Sequence, residues 1–152
     1  MELDYKWTNG TDKDFQKFYQ ITENYYNEIV GGINNRKSFV PYNISDNIHN
    51  VIITYLNGYP IACAGLKEYS KSDVEMKRVW VEPKYRNCHI ATKMIDKIEC
   101  KAGQQGYRRV ILQTRKIMND AVKLYRKLGY YQIDNYPPYD KLDGAICLAK
   151  DL

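Results

Sequence analysis

The stretch from Val79 to Lys93 carries the densest set of groups able to do chemistry in this chain. Val79, Trp80 and Val81 read as the end of a strand, and Glu82-Pro83 stops it, because proline has no ladder donor. From Ile90 onward the apolar spacing opens a helix. A strand-to-helix junction presents backbone N–H groups that have no intrahelical acceptor, at the positive end of the helix dipole, and so favours an anion. Lys84, Arg86 and Lys93 add cationic charge around the turn. The chemistry this implies is the cradling of a phosphate. Many helix starts share some of this character, so these residues alone leave an ordinary turn as the alternative.

The rest of the chain must position that turn. Its 152 residues correspond to one domain at roughly 150 residues each, expected to span 1–152. Such a domain buries roughly 70% of its unfolded surface. With 44% hydrophobic and 27% charged residues, the composition is that of a globular protein and not a disordered one. The longest run free of charged or strongly polar residues, Tyr59 to Leu66, is about half of what a membrane span needs. The segment Met1 to Lys6 lacks the basic-then-apolar order of a leader. Membrane and secreted classes drop out, and a cytoplasmic location is expected. A net charge of +5 suits a phosphate-bearing partner, but no helix carries a dense basic face and no nucleic-acid motif appears, so no nucleic-acid partner is expected. Cys63, Cys88, Cys100 and Cys147 form no CxxC pair, and His49 and His89 are the only histidines; no metal site is expected, and the cysteines read as reduced thiols. Fifteen tyrosines against three phenylalanines fit a wet, aromatic-lined cleft, or simple compositional drift.

The periodicities predict the elements. Residues 2–7 read as a strand. Thr11 reads as the cap of a helix whose face is Phe15, Phe18, Tyr19, Thr22, Tyr25, Tyr26 and Ile29, stopped by Gly31-Gly32. Residues 33–48 show no period. Strands over Val51–Leu56 and Ile61–Tyr69 flank Asn57-Gly58, a strong hairpin signal, and Val74–Val81 follows. Ile90, Ala91, Met94, Ile95, Ile98 and Ala102 mark a helix ended by Gly103 and Gly106. Arg109–Thr114 is a strand. Asn119 or Asp120 caps a helix carrying Ala121, Val122, Leu124, Tyr125 and Leu128, with Gly129 just past its end. Tyr130–Ile133 and Ala145–Ala149 are the last strands, separated by the loop Tyr136-Pro137-Pro138-Tyr139. Antiparallel strands followed by βαβ units make a mixed α/β sheet.

Two motifs in order carry a resemblance. One runs through Val81-Glu82-Pro83, Tyr85-Arg86 and on to Ala91; the other is Asn119-Asp120-Ala121-Val122-Lys123-Leu124-Tyr125-Arg126-Lys127-Leu128-Gly129-Tyr130. Together they resemble the GNAT superfamily of acyl-CoA-dependent N-acetyltransferases. Glu75 to Val81 is similar to the fourth strand of many bacterial members. The resemblance implies a central, mostly antiparallel sheet of about six or seven strands flanked by about four helices. It also implies acetyl-CoA as co-substrate, an amine acceptor and no metal, and family members are often dimers. Backbone amides from Arg86 through Asn87, Cys88, His89, Ile90, Ala91 and Thr92 would cradle the CoA pyrophosphate. Val79, Trp80 and Val81 would run along the pantetheine, with backbone pairing at Val79 and Val81. Asn119 would contact the pantetheine, and Tyr125 would protonate the departing thiolate. His89 stands where the family has its first glycine. Its N–H remains usable if its φ is negative, and its imidazole faces either the phosphates or solvent.

Acyl transfer to an amine needs a neutral amine, a polarised thioester and a proton for the thiolate. A phenol of pKa about 10 beside a thiolate near 8.5 costs roughly 2 kcal/mol in water, which positioning can offset. Tyr125 suits that task, although with Leu124 and Leu128 it also suits a core position. An alkylammonium near 10.4 is poorly matched to a carboxylate near 4.3. Glu75 sits where some family members have a base. In a regular strand it shares a face with Val79. Salt-bridging to Lys77 or Arg78 is the alternative, as is a neutral amine that needs no base. Substrate contacts are expected from Tyr26, Arg36 and Tyr42, and from Tyr136 and Tyr139. Arg78 or Arg115 would pair with a substrate carboxylate. The expected activity is acetyl transfer to a primary amine of a small molecule. A peptide or protein amine, or an acyl-CoA sensor without turnover, are the alternatives.

Overall fold

The computed structural model describes residues 2–30 and 48–152. The side chains of Tyr26 and Ile29, and all of Gly31, Gly32, Arg36 and Tyr42, lie outside what is described. The elements are β1 (Leu3–Thr8), α1 (Lys13–Val30), β2 (Asn50–Leu56), β3 (Tyr59–Glu68) and β4 (Asp73–Val81). They are followed by a 3₁₀ turn (Pro83–Tyr85), α2 (Ile90–Gln104), β5 (Arg109–Arg115), α3 (Asn119–Lys127), β6 (Tyr131–Ile133) and β7 (Ala145–Asp151). Seven strands form one sheet in the order β1-β2-β3-β4-β5-β7-β6. Among the described residues only β4 and β5 run parallel; the other pairings are antiparallel. The expected sheet is therefore present. Instead of about four helices, the described residues hold three α-helices and one 3₁₀ turn.

Local chemistry explains most boundaries and corrects three of them. Asn57 (φ 52°) and Gly58 (φ 81°) make the tight β2–β3 turn, in which both central residues have positive φ. Asp12, not Thr11, caps α1: its carboxylate accepts the N–H groups of Asp14 at 2.8 Å and Phe15 at 3.2 Å. α2 continues through Gly103 and ends before Gly106, whose φ of 89° suits only a residue without a Cβ. At α3 the cap position falls to Met118, which places Asn119 inside the first turn.

The sheet divides the core. On one face Val74, Met76 and Val81 join Met94, Ile95 and Ile98 of α2 and Tyr125 of α3. On the other face Trp80, Val51 and Ile53 pack against Phe15 and Phe18 of α1. A third cluster sets Ile111 and Cys147 under Tyr136 and Tyr139 of the β6–β7 loop.

Candidate active site

Two irregularities of β4 create the site. The first is a bulge. Lys77 pairs with Gly65 and Trp80 with Cys63, so Arg78 and Val79 together stand opposite Ala64. Arg78 takes φ 58° to do so. Beside it, Gly65 is obligatory, because a Cβ there would meet the Ile48 side chain at 2.8 Å. The second is a splay. β4 pairs with β5 only where Asp73–Glu75 meet Arg109–Ile111. From Met76 to Val81 the edge turned toward β5 has no strand partner among the described residues. A cavity of about 1040 Å³ fills the gap.

The bulge overturns one expectation. Val79 packs with the α2-side core, whereas Glu75 bonds Tyr136 on the opposite side. One extra residue between them shifts the alternation, so Glu75 and Val79 occupy different faces. Trp80 moves likewise. Expected along the pantetheine, its side chain packs toward α1, edge-on to Tyr25 at 4.9 Å and under the Arg86 guanidinium at 4.7 Å.

At the α2 end, Asn87 (φ 63°) and His89 (φ 61°) are both left-handed. His89 thus adopts the glycine-like conformation itself rather than a negative φ, at a cost of roughly 1 kcal/mol. The first intrahelical bond runs from Lys93 N–H to the His89 carbonyl. The N–H groups of Ile90, Ala91 and Thr92 therefore lack intrahelical acceptors at a cavity wall those residues line. Arg86 braces the turn: its Nε donates to the Val81 carbonyl at 3.0 Å. Cys88, predicted in the cradle, does not line the cavity; its half-buried side chain packs against the α2-side core. Asn119 lines the cavity, as does Tyr125, which is 8% exposed and meets the Tyr130 ring edge-on at 5.7 Å. Tyr130 is anchored in turn, its hydroxyl donating to Glu99 at 2.8 Å.

The opposite face holds a buried polar network. Glu75, 6% exposed, accepts the Tyr136 hydroxyl at 2.7 Å and lies 3.6 Å from the Lys77 ammonium. Lys77 donates to the Tyr139 hydroxyl at 3.2 Å. Burial lowers the Lys77 pKa, while the Glu75 charge partly restores it. Burial and then Glu75 raise both phenols, so Tyr136 and Tyr139 remain donors. Arg78 pairs with Glu23 of α1 at 2.8 Å and stacks on Tyr19 at 4.2 Å. That guanidinium ties the bulge to α1, and Arg78 also lines the cavity. Arg115 and Tyr139 line the cavity. Tyr25 and Lys77 were not anticipated there. The only sequence signal for Lys77 was its two-residue spacing from Glu75.

Comparison with known proteins bears on this arrangement. A family model described as "Acetyltransferase (GNAT) family" matches residues 5–130. The chain belongs to the GNAT acetyltransferase family. Among solved structures, it resembles a Klebsiella pneumoniae protein described as an acyl-CoA N-acyltransferase, with a TM-score of 0.81 at 18% identity, over 99% of this chain and 97% of that one. It also resembles a GNAT family acetyltransferase from Elizabethkingia anophelis with acetyl-CoA bound, with a TM-score of 0.59 at 22% identity, over 68% of this chain and 76% of that one. At these identities the likeness is one of fold. Among curated relatives, an N-acetyltransferase of Dictyostelium discoideum, itself uncharacterised, is 29% identical over 41% of this chain. An "IAA acetyltransferase" of Azospirillum brasilense is 31% identical over 51%. The matches cover 29% and 51% of those relatives' own lengths. Among the described residues, no helix is long and apolar enough to cross a membrane.

Proposed function

We propose that residues 1–152 form a single cytoplasmic N-acetyltransferase domain, which transfers the acetyl group of acetyl-CoA to a primary amine of a small molecule in a ternary complex. One observation carries this reading. A single cavity is lined by the amide end of α2, the unpaired edge of β4, Tyr125 and Glu75. The amides of Ile90, Ala91 and Thr92 suit the CoA diphosphate, with Lys123 and Lys127 of α3 lining the same cavity. The open edge at Val79 and Val81 suits the pantetheine amides, which extend the sheet as a strand would. Asn119, released from capping by Met118, offers its amide to the same chain.

The acceptor enters as the neutral amine. Its nitrogen attacks the acetyl carbonyl carbon, forming the C–N bond, and the C–S bond then breaks. The nitrogen becomes far more acidic as the bond forms, so Glu75 can take its proton directly or through water. Tyr125 gives its phenolic proton to the CoA thiolate, and solvent exchange restores both groups after release.

The test is acetyl-CoA-dependent release of free thiol across amino acids, polyamines, aminoglycosides and lysine peptides, alongside thermal stability with acetyl-CoA. Turnover with a small-molecule group, together with stabilisation, is expected. Turnover with peptides alone would move the acceptor to proteins. Stabilisation without any turnover would favour a sensor, and no stabilisation at all would remove the assignment.

A further inference from the structure

Resting on the reading just given, we propose that the acceptor amine also bears a carboxylate, received between the indole N–H of Trp80 and the guanidinium of Arg115. Strand register sets Trp80 and Arg115 opposite each other. Glu75 lies opposite Ile111 in the parallel pair. β5 pairs with β7 without a shift from Arg109 to Arg115, so Ile111, Gln113 and Arg115 share one face. That face carries Tyr136 and Tyr139, because Ile111 packs against both. On β4 the same face carries Glu75, Lys77 and, after the one-residue bulge, Trp80. Counting from the Glu75–Ile111 pair, Lys77 falls level with Gln113 and Trp80 with Arg115. The two residues thus stand across the splay from each other, both lining the cavity.

Two features of this level point to an anion. Trp80 is 5% exposed, and its Nε1 is buried with no hydrogen-bond partner among the described residues. A buried donor left unmade is costly and calls for an acceptor atom. An indole N–H only donates, so what completes it must bring an oxygen or a similar acceptor. Arg115 contributes five donors in a planar fork, enough to hold one partner and still grip a carboxylate edge. The charge around the pair has the matching sign. The cations Lys77, Arg78 and Arg115 line this face, against Glu75 and, behind Arg78, Glu23. A carboxylate at the Trp80–Arg115 level leaves the amine to reach back toward Glu75. The aromatic walls of Tyr25 and Tyr139 flank the space between.

The experiment compares matched amines with and without the carboxylate: phenylalanine against phenethylamine, and leucine against 3-methylbutylamine. The carboxylate form is expected to have a kcat/KM about tenfold higher or more, the size of one or two charge-assisted hydrogen bonds. In Trp80→Phe, which keeps a ring against Tyr25, and separately in Arg115→Gln, that ratio is expected to fall toward one. Equal or reversed preference in the parent protein would overturn the proposal while leaving acetyl transfer standing. If no amine turns over, the decision passes to thermal shifts of the CoA-loaded protein. Stabilisation by N-acetylphenylalanine but not by N-acetylphenethylamine, lost in Arg115→Gln, supports the carboxylate site even where catalysis fails. Equal shifts with both overturn it.

Discussion

At the scale of single residues, the proposed proton chemistry rests on Tyr125 and Glu75, which lie on opposite faces of the sheet. Tyr125→Phe removes one hydroxyl and keeps the ring against Tyr130. It should lower kcat by about tenfold or more and change the affinity for acetyl-CoA by less than about twofold, read by steady-state kinetics and calorimetry. An unchanged kcat would return Tyr125 to a packing role. Glu75→Gln keeps volume but takes away the charge that supports the Lys77 ammonium and accepts the Tyr136 hydroxyl. Its kcat should also fall by about tenfold or more, with the KM for acetyl-CoA little altered, because Glu75 lies on the face away from the cradle. A variant that binds acetyl-CoA tenfold more weakly would contradict that placement. Tyr125 was legible in the sequence through its motif. The partners of Glu75 were not, because Tyr136 is 61 positions away and only the folded loop brings it near.

At the scale of elements, helix starts decide both stability and binding. Asp12 caps α1 and receives Lys6 at 2.8 Å. Burial alone would raise its pKa, but the Lys6, Thr8 and backbone hydrogen bonds together hold it below the ordinary carboxylate value. A lowered carboxylate contributes stability that is present above the unfolded pKa and is lost as pH falls through the folded one. Asp12→Ala should therefore cost about 1 kcal/mol at neutral pH and flatten the acid side of the melting-temperature profile; an unchanged profile would refute the linkage. At α2 the left-handed His89 separates conformation from side-chain chemistry. His89→Gly should keep or raise both melting temperature and acetyl-CoA affinity, since it relieves roughly 1 kcal/mol of backbone strain. His89→Val, whose branched side chain suits that φ least, should lower both. A loss of affinity in the glycine variant would instead place the imidazole on the phosphates.

At the scale of the whole molecule, the cavity walls come from β4, β5, α2 and α3 together, so a ligand bound there as proposed should stabilise the whole fold. Acetyl-CoA at a hundred times its Kd should add about 2.7 kcal/mol, or roughly 5–10 °C in melting temperature for a domain of this size. High salt should shrink that gain, because the proposed cradle sets phosphates among cavity-lining cations such as Lys123 and Lys127. A gain that is independent of salt would argue against the phosphate cradle.

The sequence by itself determined the element order, the Asn57-Gly58 hairpin, the strand-to-helix turn and the helix that carries Tyr125. Each of these rests on local rules: side-chain periodicity, turn conformation and the chemistry of helix ends, all written within a few residues. Only the tertiary structure decided which face of β4 each residue meets. The bulge at Arg78 carries no glycine to announce it, and it is held by contacts from elsewhere: Glu23 of α1 on its guanidinium and the Cys63 thiol on its carbonyl. The same is true of the splay, since where a parallel pair stops depends on what packs beneath both strands. Those two long-range features put Glu75 and Val79 on different faces, turn Trp80 toward α1 and leave Val79 at the open edge.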